Sequence, residues 1–348
     1  MFADNERISR RQLGAQILLG LSGIFLLTLP SLPQMSGWSG MLGCLLGLLL
    51  LWLYLFFLLR KTAVTRDIRE RISGPVCRVM AAALIVYLIL GGGFMLRQVS
   101  SMVSFRLLTF GRPWQAGILF LAAAHLGTGR KIQRRARLAE AAFPPVIIGF
   151  TVLLAACVFQ VETFDWSAFA APTWRGVLKG AYYMFCAFSI VGVFPFFMHR
   201  VQRPQGSLPY LYGATGTATL LAVTCLGVVQ QLYGAGGIGN KPFPLTSLMA
   251  SANIPGDFLD RFDALWMVFL LFALLYSVGT VLFYSQHLIS KNPGVWQGIL
   301  AAAAMFLAAF VQWQGKTAAD FYPWCVRAFF MPLFVLFGLC FGKIRRKT

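Results

Sequence analysis

The chain has 348 residues, of which 58% are hydrophobic and only 12% charged. Soluble proteins carry roughly a quarter charged residues, so the composition excludes disorder and a disulfide-rich secreted scaffold and argues against a soluble two-domain enzyme, leaving a membrane-embedded helical bundle. Thirty Lys and Arg against eleven Asp and Glu give a formal charge of +19; the cations sit in loops between apolar runs, which points to orientation in a bilayer and away from nucleic acid.

Ten apolar segments of spanning character follow in order, at about 12–30, 36–59, 76–96, 113–128, 143–161, 176–198, 208–232, 264–286, 295–312 and 322–342. The first follows Arg7, Arg10 and Arg11, but it is long and no small-residue cleavage site follows clearly. It reads as an uncleaved span. It is interrupted by Gly20-Leu21-Ser22-Gly23-Ile24. The fourth is short. The sixth carries Phe188-Ser189, then Gly192 and Pro195; proline removes a backbone donor and bends a helix. The seventh bears Thr215, Thr217, Thr219 and Thr224, which suit either a polar path or helix packing. A longer polar stretch, about 234–263, follows it and predicts a short helix over the mouth of the bundle, flanked by Gly236-Gly237 and Pro255-Gly256.

Most Lys and Arg fall on one side of this arrangement, including Arg60 to Arg78, Arg130 to Arg137 and the C-terminal Lys343 to Lys347. That side is predicted to be cytoplasmic, with both termini inside, as an even number of spans requires.

Matched interruptions in the first and sixth spans are the mark of a midplane site in a chain of two five-helix halves, because freed N–H and C=O groups need a partner. The competing reading is close helix packing at small residues. No catalytic constellation is present: there is no GxSxG, no P-loop, no HExxH, no CxxC and no paired carboxylates within a span. No cofactor or metal is implied. All eleven acids fall in loops or at span ends, which argues against proton coupling through a buried carboxylate.

Several blocks resemble a known family. They are Ile8-Ser9-Arg10-Arg11-Gln12-Leu13 with a run ending Thr28-Leu29-Pro30, Leu96-Arg97, Arg112-Pro113-Trp114, Gly129-Arg130-Lys131-Ile132, and Leu178-Lys179-Gly180. The most specific is Phe243-Pro244-Leu245 with Ile254-Pro255-Gly256-Asp257 through Arg261-Phe262-Asp263-Ala264-Leu265. In order and spacing these are similar to the B subunit of GerA-type spore germinant receptors, endospore germination permeases of the amino acid–polyamine–organocation superfamily. The family's acid in the sixth helix has no counterpart in Ile190–Pro195.

The resemblance implies one polytopic domain over 1–348 with a ten-helix, LeuT-like fold. Its two inverted repeats, about 12–161 and 176–342, have broken first and sixth helices. It implies a receptor subunit of the spore inner membrane that binds a small germinant of the amino acid class, with A and C subunits as partners. A secondary amino acid carrier is the alternative, since fold does not decide function. The expected ligand residues are Ser22, Gly23 and Ile24 at the first break, Phe188 and Ser189 at the second, with Tyr87 and Tyr276-Ser277 beside them. At the outer side Lys179 either snorkels or pairs with Asp165 or Asp320, and Pro244, Pro255 and Arg261 frame the closing loop.

Overall fold

The computed structural model describes residues 7–62, 74–107, 111–129, 131–159, 169–238, 243–250, 262–290 and 293–344. Its helices are α1 (Arg10–Thr28), α2 (Gly37–Thr62), α3 (Gly74–Arg106), α4 (Pro113–Thr128) and α5 (Ile132–Phe159). Then come α6 (Trp174–Ala187), α7 (Phe194–Phe197), α8 (Leu208–Ile238), α9 (Pro244–Ala250) and α10 (Phe262–Ile289). The last are α11 (Val295–Phe310), α12 (Ala318–Cys325) and α13 (Met331–Ile344), with a small hairpin, β1 (Gln312–Trp313) and β2 (Lys316–Thr317), before α12. Pro255, Arg261 and Asp165 lie outside the described residues.

All ten expected segments are helical. Among the described residues seven helices are long and apolar enough to cross a bilayer, eight when the bent α6–α7 pair counts as one. Helices α4 and α11 have 16 residues each, about 24 Å at 1.5 Å per residue, and are short for a hydrocarbon core of about 30 Å. Exposed Leu42, Leu45, Leu49 and Leu53 line the outside of α2, the inverse of a soluble bundle. The chain is a multi-pass membrane protein.

Local sequence accounts for the first helix start. Ser9 Oγ accepts from the Gln12 amide at 3.1 Å and Gln12 Oε1 accepts from the Ser9 amide at 3.0 Å, a reciprocal cap. Small residues then set helix spacing. A methyl on Gly43 would lie 2.8 Å from the backbone of Gly180, and one on Gly47 2.7 Å from Ala181 O. Backbones of α2 and α6 therefore approach closely, as small-residue faces allow.

The packing partners come in matched sets. Helix α2 packs on α6 and α8 on α1; α3 packs on α11 and α10 on α4; α12 packs on α3 and α5 on α10. Two buried clusters result. One centres on α1, α2, α5 and α8, the other on α3, α11 and α13, and α10 contributes Ala273 and Leu274 to the first and Val278 and Val281 to the second.

The sixth span breaks as expected, and the first does not. Helix α6 stops at Ala187, a 3-10 stretch runs over Ser189–Val193, and α7 resumes, the two parts bent by 43°. Pro195 lacks the N–H that a continuous helix would aim at the carbonyl of Val191. Gly192 leaves the room that the Phe334 ring fills. In contrast α1 is unbroken from Arg10 to Thr28, so Ser22, Gly23 and Ile24 present no freed backbone N–H. The reason is that no proline precedes Pro30, and two glycines alone cost only about 1 kcal/mol each without removing a hydrogen bond. A second interruption lies instead in the tenth span, where a π-turn over Val326–Phe330 separates α12 from α13.

The basic stretch assigned to a cytoplasmic loop is largely the start of α5, and Arg135 within it is 3% exposed. Two of the threonines of α8 are taken up within their own helix. Thr215 and Thr219 are buried and bond to carbonyls of their own helix, Leu211 O at 2.7 Å and Thr215 O at 2.8 Å.

Candidate ligand-binding site

A cavity of about 200 Å³ lies among α1, α3, the α6–α7 break, α10 and α12. Each wall is a stripe of helical period. Helix α1 contributes Leu13, Gln16, Gly20, Ile24 and Thr28; α3 contributes Tyr87, Gly91 and Phe94; α10 contributes Ser277, Thr280 and Tyr284. The break supplies Ser189, Ile190 and Val193, and the tenth span Tyr322, Pro323, Val326 and Arg327.

The best-defined polar contact in it joins two helices. Tyr87 Oη and Ser189 Oγ are 2.7 Å apart and buried. Ser189 is placed there by the 3-10 stretch. Tyr87 is held by rings on three sides, with centroids of Tyr322, Phe330 and Phe334 at 6.0, 5.4 and 5.2 Å. Gly91, one turn on, keeps space for Tyr322, whose hydroxyl would lie 3.0 Å from an added Cβ.

Ser277 ties α10 to α1, with Oγ 2.7 Å from Gly20 O and 2.8 Å from Ala273 O, donating to one or the other. Of the expected ligand residues, Ile24, Tyr87, Ser189 and Ser277 therefore line one cavity. Ser22, Gly23, Phe188 and Tyr276 do not line it. Ser22 Oγ donates to Leu19 O at 3.2 Å, and Gly23 packs against Ala273 and Leu274. Phe188 is wholly buried edge-on against Phe25 at 5.1 Å. Tyr276 faces α5, its ring 4.3 Å under the guanidinium of Arg135, which also donates to Tyr276 O and to Thr280 Oγ1.

Gln16, Thr280, Tyr284, Tyr322 and Arg327 were not expected in the site. The i, i+3, i+7 spacing of Ser277, Thr280 and Tyr284 is the signal that reaches two of them. Among the described lining residues there is no carboxylate, and Arg327 is the one cation, stacked 4.5 Å over the Tyr183 ring. No group of three His, Cys, Asp or Glu among the described residues is placed to hold a metal.

Both ends of the cavity are tied. At the end near the N-terminus the Ile8 amide donates to Arg200 O at 2.8 Å and the Gln202 amide to Ile8 O at 2.9 Å. There Glu140 on α5 accepts from Gln12 Nε2 at 3.0 Å and pairs with Arg11 at 3.5 Å. At the other end Arg97 on α3 pairs with Asp320 at 2.7 Å, and Asp320 also accepts from the Thr317 amide at 2.8 Å. Asp320, one of the alternative partners offered for Lys179, is thus taken by Arg97; Lys179 sits at an exposed position. Pro244 opens α9, whose Ser247 Oγ accepts from Arg106 at 2.6 Å, which pins the short helix to α3.

The sequence matches a family model described as "Spore germination protein" over residues 8–311. The chain belongs to that spore germination family. The expected likeness to GerA-type B subunits agrees with it, and the family and fold are those of permeases and transporters, not of an enzyme class. A curated relative, spore germination protein YndE of Bacillus subtilis (strain 168), is 25% identical over 214 residues, 60% of this chain. The match spans 58% of that relative's length. Among solved structures, MhsT in complex with L-phenylalanine is similar with a TM-score of 0.67 at 14% identity, over 95% of this chain and 88% of that one. A substrate-bound, outward-open Na+-coupled sialic acid symporter is similar at 0.57 and 12% identity, over 99% and 79%. At such identities the likeness concerns the fold, which is LeuT-like.

Proposed function

We propose that this chain is the ligand-binding membrane subunit of a spore germinant receptor. Its germinant, a small molecule of amino acid size, occupies the cavity at the break of the sixth span. Binding there changes the contact between α6 and α3 that Ser189 and Tyr87 make, and A and C subunits read the change. A ligand shifts such an equilibrium only by its differential affinity for the two states. The receptor sits in the spore inner membrane with both termini on the cytoplasmic side, and residues about 12–161 and 176–342 form inverted repeats. The matched packing of α2 on α6 and α8 on α1 supports that division.

The observation that carries the reading is the buried Tyr87–Ser189 pair in a cavity opened by a helix break, in a chain of the spore germination family. Freed backbone and paired hydroxyls at a discontinuous helix suit a small polar ligand. The test deletes the gene and scores spores against amino acids, sugars and nucleosides, then complements with Ser189→Ala. Loss of response to one class, and a right-shifted dose–response curve for Ser189→Ala at equal protein level, is expected. An unchanged curve refutes this site.

One observation favours a second reading, a secondary carrier. The cavity lining runs along α1 from Leu13 to Leu29, about 24 Å at 1.5 Å per residue, most of a hydrocarbon core. Uptake of labelled amino acid into liposomes by this chain alone, driven by an ion gradient, tests it; no uptake above empty liposomes refutes it.

A further inference from the structure

Gln16 is the polar residue of the α1 stripe nearest the N-terminal end of the cavity, one turn before Gly20. It is 3% exposed and lines the cavity with Leu13, Ile132, Val201 and Tyr284. Neither its amide nitrogen nor its amide oxygen has a hydrogen-bond partner. Its neighbour one turn earlier, Gln12, is engaged with Glu140, and Ser22 bonds within its own helix, so the polar groups around it on α1 are accounted for.

A buried amide without partners is costly, and a leucine would fill the same space at no such cost. A carboxamide offers donors and an acceptor side by side. Its complement is an uncharged group that both donates and accepts. A carboxylate satisfies only the amide nitrogen and an ammonium only the oxygen. Either also brings a charge against Leu13, Ile132 and Val201, where no described lining residue carries a carboxylate and burial of a charge is penalised. An apolar end leaves both amide atoms unmet.

We propose that Gln16 is the specificity-determining contact for the inner end of the germinant, selecting an uncharged donor–acceptor group, a carboxamide or a hydroxyl, over charged or purely apolar ends. This rests on the reading of the cavity as the germinant site. Helical rise places Gln16 about 12 Å from Ile24 along α1, so the selected group is the end of the ligand that reaches deepest.

The test measures binding to the full chain in lipid nanodiscs with near-isosteric probes: L-asparagine, L-aspartate and L-leucine; L-glutamine, L-glutamate and L-methionine; L-serine and L-alanine. The expected result is a neutral polar member bound tenfold or more tightly than its charged and apolar counterparts. Gln16→Leu brings that ratio to about one while the ligand-free protein melts no lower than the wild type. Gln16→Met, which keeps the length of the side chain, gives the same loss of selectivity should leucine disturb folding. Equal binding across every set in the wild type, or a preference that survives in both variants, overturns the role of Gln16 and leaves the site standing. Binding of none of the probes overturns the site and this inference with it.

Discussion

Gly20 and Gly23 are a matched pair that separates packing from ligand binding on α1. Both are helical glycines three residues apart. A Cβ on Gly20 meets nothing within 4 Å, whereas one on Gly23 would lie 2.9 Å from Ala273 Cβ and 3.0 Å from the backbone of Ala273 and Leu274. Glycine to alanine in a helix gains about 1 kcal/mol from propensity alone, and overpacking a tight contact costs about 1–3 kcal/mol. Gly20→Ala is thus expected to stabilise by up to ~1 kcal/mol, and Gly23→Ala to range from neutral to a loss of ~2 kcal/mol. The neighbours of Gly23 are backbone atoms of α10 and cannot rotate away, so the separation between α1 and α10 must grow. Denaturant-induced unfolding of the full chain in detergent, monitored by tryptophan fluorescence, gives the order Gly20→Ala, wild type, Gly23→Ala. Gly23→Val should fall below all three. Gly23→Ala as stable as Gly20→Ala would show that the α1–α10 contact is looser than described and would refute the reasoning.

Other outcomes follow from single contacts. Ser189→Ala leaves the Tyr87 hydroxyl without its serine partner and is expected to cost about 1–3 kcal/mol, Tyr87→Phe about 0.5–1.5 kcal/mol, and the double variant less than their sum; strict additivity in a double-mutant cycle would mean the two do not pair. Asp320→Asn removes the charge that meets Arg97 and caps Thr317. Because both side chains are about one-third exposed, the loss should be about 1 kcal/mol, seen as faster hydrogen exchange across Gln312–Thr317 and unchanged exchange in α1. Gly43→Val presses a side chain onto the backbone of Gly180 and should sharply lower the yield of folded protein in membranes, while Gly213→Val, where a Cβ meets nothing within 4 Å, should not.

The spans were legible because hydrocarbon demands long apolar runs, and the sixth break because proline cannot donate. The first break was not a matter of composition. Ser22 and Gly23 are the same residue types that serve close packing, and only the position of Ala273 and Leu274 across the interface decides between the two roles. Arg135 was read as a loop charge because its neighbours are basic; its burial depends on Tyr276 and Thr280 of a helix some 140 positions away. Charge and depth leave Lys179 a choice between snorkelling and pairing with Asp165 or Asp320; β2 and the first turn of α12 turn Asp320 toward Arg97 instead. Tyr87, Ser189 and Ser277 were reachable from sequence because a hydroxyl in mid-span needs a partner, and the LeuT-like arrangement brings their helices together.

The receptor and carrier readings both use the same cavity, and what would separate them is which of its tied ends opens. The tie at the N-terminal end rests on Glu140 holding Arg11 and Gln12 of α1, with Ile8 bridged to residues 200 and 202 just beyond the broken span. The tie at the opposite end rests on Arg97, Asp320 and Thr317. Both broken segments, the 3-10 stretch after α6 and the π-turn before α13, lie between these ties and touch Tyr87 through Ser189 and Phe330. A ligand bound against Tyr87 would thus act on two segments that are not regular α-helix. On the proposed receptor reading one tie yields and partner subunits sense the movement; on the carrier reading both yield in turn and the ligand passes through. Arg135 fastens α5 to α10, its guanidinium donating to Tyr276 O and Thr280 Oγ1. Under the carrier reading this fastening must yield whenever α5 and α10 part; under the receptor reading it can stay closed.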